Sequence, residues 1–441
     1  MIAARFLRPA VLALILLLPA VAAPAAPPRV VTSQKGVTAW LVEDHTNPLI
    51  SVSLLFRGGT ADDPAPLAGL SDLVSGLLDE GAGDLDSRAF QDRLDVLNVR
   101  LGFSASADLF SGRMQTLSAR RREAFSLLGQ ALSVPRFDPE PVARMREVFK
   151  AELRRRQESP EARAADALFA AMFPDHPYGR PGGGSPETLD AITADDLHAF
   201  ARLRLTRDRL LVGVVGDVTA KELGPLLDSA FAALPATSEA PRPEPVRPRL
   251  DGKVHRIEMP VPQAAAVFAQ AGPARTDPDW HPFQVMMYIL GDGGFASRLT
   301  AEVREKRGLA YGVQASSAPF VHAPLVLGSV GTRNEKIGES LALIRAEWEK
   351  MRKHGPTAGE VDKALAHMIG ALPLRLNSGP TIARTLTAMQ VFGLPPDDLD
   401  RRPKVLSAIT RDRVAQVAAK WLDSRTLTFA VAGRTAGGKA R

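Results

Sequence analysis

Gly69-Leu70-Ser71-Asp72-Leu73-Val74-Ser75-Gly76-Leu77-Leu78 is the stretch from which the rest of this chain can be read. Leu70, Leu73, Val74, Leu77 and Leu78 recur at three- and four-residue intervals, so they line one side of a helix with apolar side chains. Asp72, Ser75 and Gly76 stand at i, i+3 and i+4 and share the other side. The spacing predicts a short amphipathic helix with a small, weakly polar outer face. Upstream, residues 38–43 and 50–56 carry strand-type composition and read as neighbouring strands around a polar turn at 44–48. Downstream, helical periodicity dominates 69–98 and 120–172, and 209–216 closes the region as an apolar strand. Strands first, helices later and a closing strand argue for an α+β fold over a doubly wound sheet.

The pattern is then repeated. Ile192-Thr193-Ala194-Asp195 opens a helix that leads to the strand ending at Gly216, and Ile409-Thr410-Arg411-Asp412 opens one that leads to the strand ending at Gly433. The span from Ile to Gly is 24 residues in both, with Thr placed as an N-cap and an acid two residues on. This register match points to duplication. Between the copies, residues 235–252 (PATSEAPRPEPVRPRLDG) lack apolar periodicity and are held extended by proline, as in a linker. The organisation expected is a leader over 1–22, a first half over 29–234, the linker at 235–252 and a second half over 253–436.

Composition narrows the chemistry. The 441 residues contain no cysteine, which excludes disulfides, thiolate nucleophiles and cysteine-held metal. The formal charge is +6, of which Arg5 and Arg8 supply two; the remaining +4 over so long a chain gives no case for nucleic acid. Those two arginines, the apolar run 11–18 and the small residues at 19–23 form a signal peptide, with Ala20-x-Ala22 fitting cleavage before Ala23. The apolar run is too short for a comfortable membrane span, so an exported, periplasmic bacterial protein with no membrane attachment after leader removal is expected. The eight histidines are scattered with no i, i+4 pair, and no Gly-x-Ser-x-Gly elbow surrounds Ser75. Gly291-Asp292-Gly293-Gly294 follows a helical run and lacks the Lys-Ser/Thr of a phosphate loop.

Three runs carry a family resemblance. Phe56-Arg57-Gly58-Gly59-Thr60 with Gly69–Asp72 and Gly81, then Phe173-Pro-Asp-His176-Pro-Tyr-Gly-Arg-Pro181, then Ser297-Arg-Leu-Thr-Ala-Glu-Val-Arg304-Glu-Lys-Arg-Gly-Leu-Ala-Tyr311 are similar to the pitrilysin/insulinase family of inverted-zinc metallopeptidases, which includes mitochondrial processing peptidase. The resemblance implies duplicated metallopeptidase-like half-domains, each a mainly antiparallel sheet packed with helices, and two chains enclosing a chamber.

It also implies what this chain lacks. The family's H-x-x-E-H motif would place His, Glu and His at Asp72, Ser75 and Gly76. The remaining carboxylate ligand falls on Glu152, at the edge of the helix stripe formed by Val142, Met145, Phe149 and Leu153. One Asp and one Glu do not make a catalytic zinc site, which takes three protein ligands and usually imidazole. Asp72 therefore reads as a helix-surface acid and Glu152 as a solvated or ion-paired one, with no metal bound by this chain. In the family a partner domain supplies an Arg and a Tyr seven residues apart; Arg304 and Tyr311 match that spacing. Gly308 suits a helix C′ position, and 309–316 alternates as a strand with Leu309, Tyr311 and Val313 expected on one face. The implied role is the zinc-free subunit of a heterodimeric peptidase. It would act on peptides with a homologous zinc-bearing partner and give Arg304 and Tyr311 in trans. The alternatives are a catalytically silent scaffold subunit and an autonomous hydrolase holding a hard metal on Asp72 and Glu152.

Overall fold

The computed structural model describes residues 27–434. The leader expected at 1–22 and residues 435–436 of the second half lie outside the described residues. Strands β1 (Arg29–Thr32), β2 (Thr38–Glu43), β3 (Leu49–Arg57), β4 (Arg100–Ala105), β5 (Leu109–Leu117) and β6 (Leu210–Gly216) form a first sheet in the order β1-β2-β6-β3-β5-β4. Strands β7 (Val254–Glu258), β8 (Gln263–Ala271), β9 (Ala310–Pro319), β10 (Pro324–Arg333) and β11 (Thr428–Gly433) form a second in the order β7-β11-β8-β10-β9. Setting β1 aside, the two orders coincide strand for strand. Both sheets are antiparallel except for one parallel pair, β2 with β6 and β7 with β11. The α+β class and the duplication hold.

One pairing differs from expectation. β2 and β3 are not neighbours, because β6 lies between them. β6 is a continuous apolar run buried along most of its length, and such a strand takes a central place. Residues 44–48 contain no Asn-Gly or Asp-Gly to favour a tight hairpin. They step over the end of β6, where the Asp44 amide donates to the Gly216 carbonyl at 3.0 Å.

The first half contributes helices α1 (Leu70–Ser75), α2 (Ser87–Leu97), α3 (Arg121–Ser133), α4 (Pro139–Glu158), α5 (Pro160–Met172), α6 (Pro186–Ala191), α7 (Ala194–Arg204) and α8 (Ala220–Phe231). The second contributes α9 (Trp280–Met287), α10 (Ile337–His354), α11 (Ala358–Gly370), α12 (Leu372–Arg375), α13 (Gly379–Val391), α14 (Asp398–Ser407) and α15 (Arg411–Trp421). The repeated threonines are N-caps: Thr193 accepts from the Asp196 amide and Thr410 from the Arg413 amide.

Each sheet is covered on one face by its own helices and on the other by a helix of the other half. α5 seals the second sheet with Ala164, Leu168 and Met172 against Val267, Ala269 and Leu325. α13 seals the first with Ala383, Leu386 and Met389 against Trp40 and Val215. The crossing is close enough to require glycine: a Cβ on Gly213 would lie 2.5 Å from the Ala383 carbonyl oxygen. Ser53 and Thr387 share a buried hydroxyl–hydroxyl bond of 3.0 Å at the same contact. The His176-Pro-Tyr178 run bridges the halves too. Tyr178 Oη donates to Asp108 and accepts from the His322 amide. The 235–252 linker has no regular structure but is pinned to both halves, through the Val246 amide on the His322 carbonyl and the Arg249 amide on that of Met172.

Candidate functional site

α1 is shorter than its apolar stripe, ending at Ser75, while Leu77 and Leu78 remain buried just beyond it. Gly69 enters the helix at φ 97°, a conformation that disfavours side chains. A buried ionic cluster anchors the helix start. The Asp63 carboxylate accepts from the Ser71 amide at 3.1 Å and its hydroxyl at 2.6 Å, and pairs with Arg204 at 2.8 Å. Arg204 also donates to the Asp62 carbonyl, and the Asp62 carboxylate faces Arg209 at 3.3 Å. None of these four charged residues belongs to a spacing motif. The only sequence trace is an acidic pair, Asp62-Asp63, just before an apolar helix.

The positions of the metal motif carry no imidazole, and α4 lies against one of them. Asp72 is half-buried, a correction to its reading as a surface acid, because α1 is overlaid by α4. Burial, reinforced by the Asp63 charge and opposed by Arg156, pushes its carboxyl up to about 7. The Ser75 hydroxyl donates to the Asp72 carbonyl at 2.7 Å, spending itself within its own helix. Gly76 lies against α4: a Cβ there would meet Met145 Sδ at 2.8 Å and Phe149 Cε2 at 3.2 Å. Glu152 is exposed and pairs with Arg155 at 2.7 Å, as read from the sequence. Asp72 is half-buried, whereas Glu152 faces solvent. Among the described residues no group of three or more His, Cys, Asp or Glu is arranged to hold a metal. These residues do not fit the family's zinc.

In the second half, Thr300–Glu305 is a wide, π-helical turn that ends where Gly308, at φ 59°, donates its amide to the Arg304 carbonyl at 2.8 Å. The cations crowded here are sorted by Glu302, which pairs with Lys306 and Arg307 at 2.6 Å each and is thereby held at about 2. Arg304 has no carboxylate partner among the described residues; its guanidinium lies 4.7 Å over the Phe295 ring. It lines a cleft of about 480 Å³ together with Asp292, Gly312, Gln314 and, from α5 of the first half, Glu161. Burial raises the Asp292 carboxyl.

Tyr311 departs from its expected face. Gly312 pairs with Gly331 and Ala310 with Thr332, so Tyr311 is the extra residue of a β-bulge. Leu309 and Val313 turn inward, whereas Tyr311 is 76% exposed. Tyr311 is not part of the cleft wall; the ring beside Arg304 is that of Phe295. A solvent-facing phenol and an unpaired, stacked guanidinium can both donate to a ligand oxygen.

A duplicated α+β fold in which each half lends a covering helix to the other describes a two-half metallopeptidase class, and comparison with known proteins agrees. Residues 38–184 match the model of insulinase (peptidase family M16), and 191–368 that of the M16 inactive domain. The chain belongs to the M16 insulinase/pitrilysin family. A crystal structure of a peptidase M16 inactive domain from Pseudomonas fluorescens superposes with a TM-score of 0.87 at 27% identity, covering 93% of this chain and 99% of that one. An uncharacterized zinc protease of Streptomyces coelicolor is 26% identical over 83% of this chain and 81% of its own length. A non-peptidase homolog from Helicobacter pylori is 26% identical over 82% and 84%, respectively. The beta subunit of mitochondrial-processing peptidase from Blastocladiella emersonii is 26% identical over 70% of this chain and 67% of its own.

Proposed function

We propose that this chain is the zinc-free subunit of a two-chain M16 peptidase. It closes the chamber of a homologous zinc-bearing partner and presents Arg304 and Tyr311 to the peptide in trans. One contrast carries the reading. Met145 and Phe149 lie against Gly76, the second His position of the motif, while Arg304 stays unpaired on an exposed ring and Tyr311 is lifted outward by a bulge. A chain that lost its own chemistry has no need of exposed donors unless another chain uses them. That one relative is by name a peptidase subunit supports the pairing. Export to a bacterial periplasm belongs to the same proposal, on the strength of Arg5, Arg8, the apolar run and Ala20-x-Ala22.

The scaffold reading is favoured by one specific observation, that Tyr311 stands outside the cleft wall. The name of the Helicobacter relative, a non-peptidase homolog, fits either reading. An autonomous hydrolase draws no support, since Asp72 and Glu152 belong to no group of three or more metal-ligating side chains among the described residues. The test is co-expression with a homologous chain that keeps H-x-x-E-H. Peptidase activity is expected only in the mixture; activity of this chain alone, or of the zinc-bearing chain undiminished without it, overturns the proposal.

A further inference from the structure

A second cavity, of about 240 Å³, lies among α9, α11, α12, α13 and α14. Much of its wall is apolar, including Met368, Leu372, Met389 and Phe392. The rest is a concentration of hydrogen-bond donors. Arg275 is nearly enclosed, with its side chain 12% exposed. It makes no hydrogen bond among the described residues. It lies over the Trp280 ring at 5.1 Å and reaches Asp398 only at 3.9 Å. Arg402, whose side chain is 20% exposed, takes Asp398 as its ion-pair partner. Trp280 Nε1, His281 Nδ1 and Arg402 Nε, on residues that line the cavity, are themselves buried without a partner.

Buried polar groups are almost always satisfied, so an enclosed guanidinium that lines a cavity and makes no hydrogen bond points to something that satisfies it. The charge balance says what. Two enclosed guanidiniums face one carboxylate, Asp398. Burial together with the two arginines lowers the His281 pKa and favours the neutral ring. Arg375 stands exposed at the rim. The enclosed surplus is one positive charge, at the polar end of an otherwise greasy pocket smaller than the roughly 300–1,000 Å³ of drug-sized sites.

We propose that this cavity binds a small carboxylate with an apolar tail. The carboxylate would be held by Arg275 and Arg402, and the tail by Met368, Leu372, Met389 and Phe392. A peptide's C-terminal residue and a free short-chain acid share this chemistry. The site is independent of Arg304 and Tyr311 and does not rest on the in-trans reading.

Isothermal titration of the full mature chain with N-acetyl-leucine, N-acetyl-leucinamide, hexanoate and inorganic phosphate tests it. At least one of the two carboxylates should bind saturably, and N-acetyl-leucinamide and phosphate at least about tenfold more weakly, because a charged hydrogen-bond partner is lost or the tail is missing. Binding of N-acetyl-leucine alone identifies a peptide terminus as the source, and of hexanoate alone a free acid. Arg275→Met should weaken the better ligand about tenfold or more. If that variant does not fold, Arg275→Lys, which keeps the charge but loses the planar two-point donor, should weaken it in the same direction, and the acid-against-amide comparison on the unaltered chain decides. Equal affinity for acid and amide, phosphate as the tightest ligand, or no saturable binding at millimolar concentration overturns the proposal.

Discussion

Met145 Sδ occupies the space that a side chain on residue 76 would need, 2.8 Å from where a Cβ on Gly76 would stand. Met145 belongs to α4, the helix that also bears Glu152. That helix leans apolar side chains onto the former imidazole position while turning its acid to Arg155 and solvent. The loss is therefore built into two helices and not confined to three letters of a motif.

Restoring the letters should accordingly fail. Asp72→His/Ser75→Glu/Gly76→His should bind no stoichiometric zinc. Displacing Met145 and Phe149 should cost about 1–3 kcal/mol of stability, the usual penalty of overpacking. Plasma mass spectrometry after dialysis, with thermal unfolding alongside, reads both effects. About one tightly held zinc per chain would show that α4 yields more easily than its packing implies.

The anchor of α1 should matter far more than the exposed acid on α4. Asp63→Ala leaves Arg204 without its buried partner and removes the acceptor for both Ser71 donors. A loss of about 3–5 kcal/mol is expected. Glu152→Ala breaks an exposed pair and should stay within about 1 kcal/mol. Denaturant midpoints of the two variants compare them directly, and similar shifts would contradict the assignment of Asp63 as the anchor.

Asp72 gives a pH signature with a defined sign. Its carboxyl is raised to about 7 in the folded chain against an ordinary value near 3.8. The unfolded chain therefore releases this proton first, so stability falls as pH rises between those values, and the penalty is complete above the upper one. Asp72→Asn removes the charge and keeps the shape. It should stabilise the chain by about 1–2 kcal/mol at pH 8, after allowance for the water a half-buried carboxyl retains, and by almost nothing at pH 4. Urea midpoints at the two pH values measure this; an equal effect at both would place Asp72 in ordinary solvent.

The same residues mark what a sequence can and cannot convey. The apolar stripe from Leu70 to Leu78, the Thr193 and Thr410 caps and the repeated helix–strand unit are local patterns, and each survives in the fold. The motif gaps at Asp72, Ser75 and Gly76 were readable because they are identities at fixed spacing. What filled them was not, since Met145 is a distant residue on another helix. The insertion of β6 between β2 and β3 is likewise a long-range choice made by burial of an apolar strand. The bulge at Tyr311 escaped because alternation along one strand does not report an extra residue relative to its partner. The Asp63–Arg204 pair joins residues 141 apart in the chain, beyond the reach of any local rule.

The in-trans role stands or falls on Tyr311 and Arg304. Tyr311 is 76% exposed, so replacing it with Phe should leave the isolated chain's stability within about 0.5 kcal/mol. In a complex with a zinc-bearing partner the same change deletes a hydroxyl that would face the developing oxyanion, and turnover should fall by about 10²–10³. Arg304→Lys should also impair turnover, because an ammonium can neither stack flat on Phe295 nor offer two parallel donors. Phe295→Ala should act in the same direction by freeing the guanidinium, with assembly intact. A scaffold subunit predicts the opposite pattern, with all three variants assembling and cleaving normally. Turnover on a saturating peptide, measured on complexes of verified composition, distinguishes the two. Wild-type turnover in an assembled Tyr311→Phe complex would remove the catalytic role and leave chamber closure as the function of this chain.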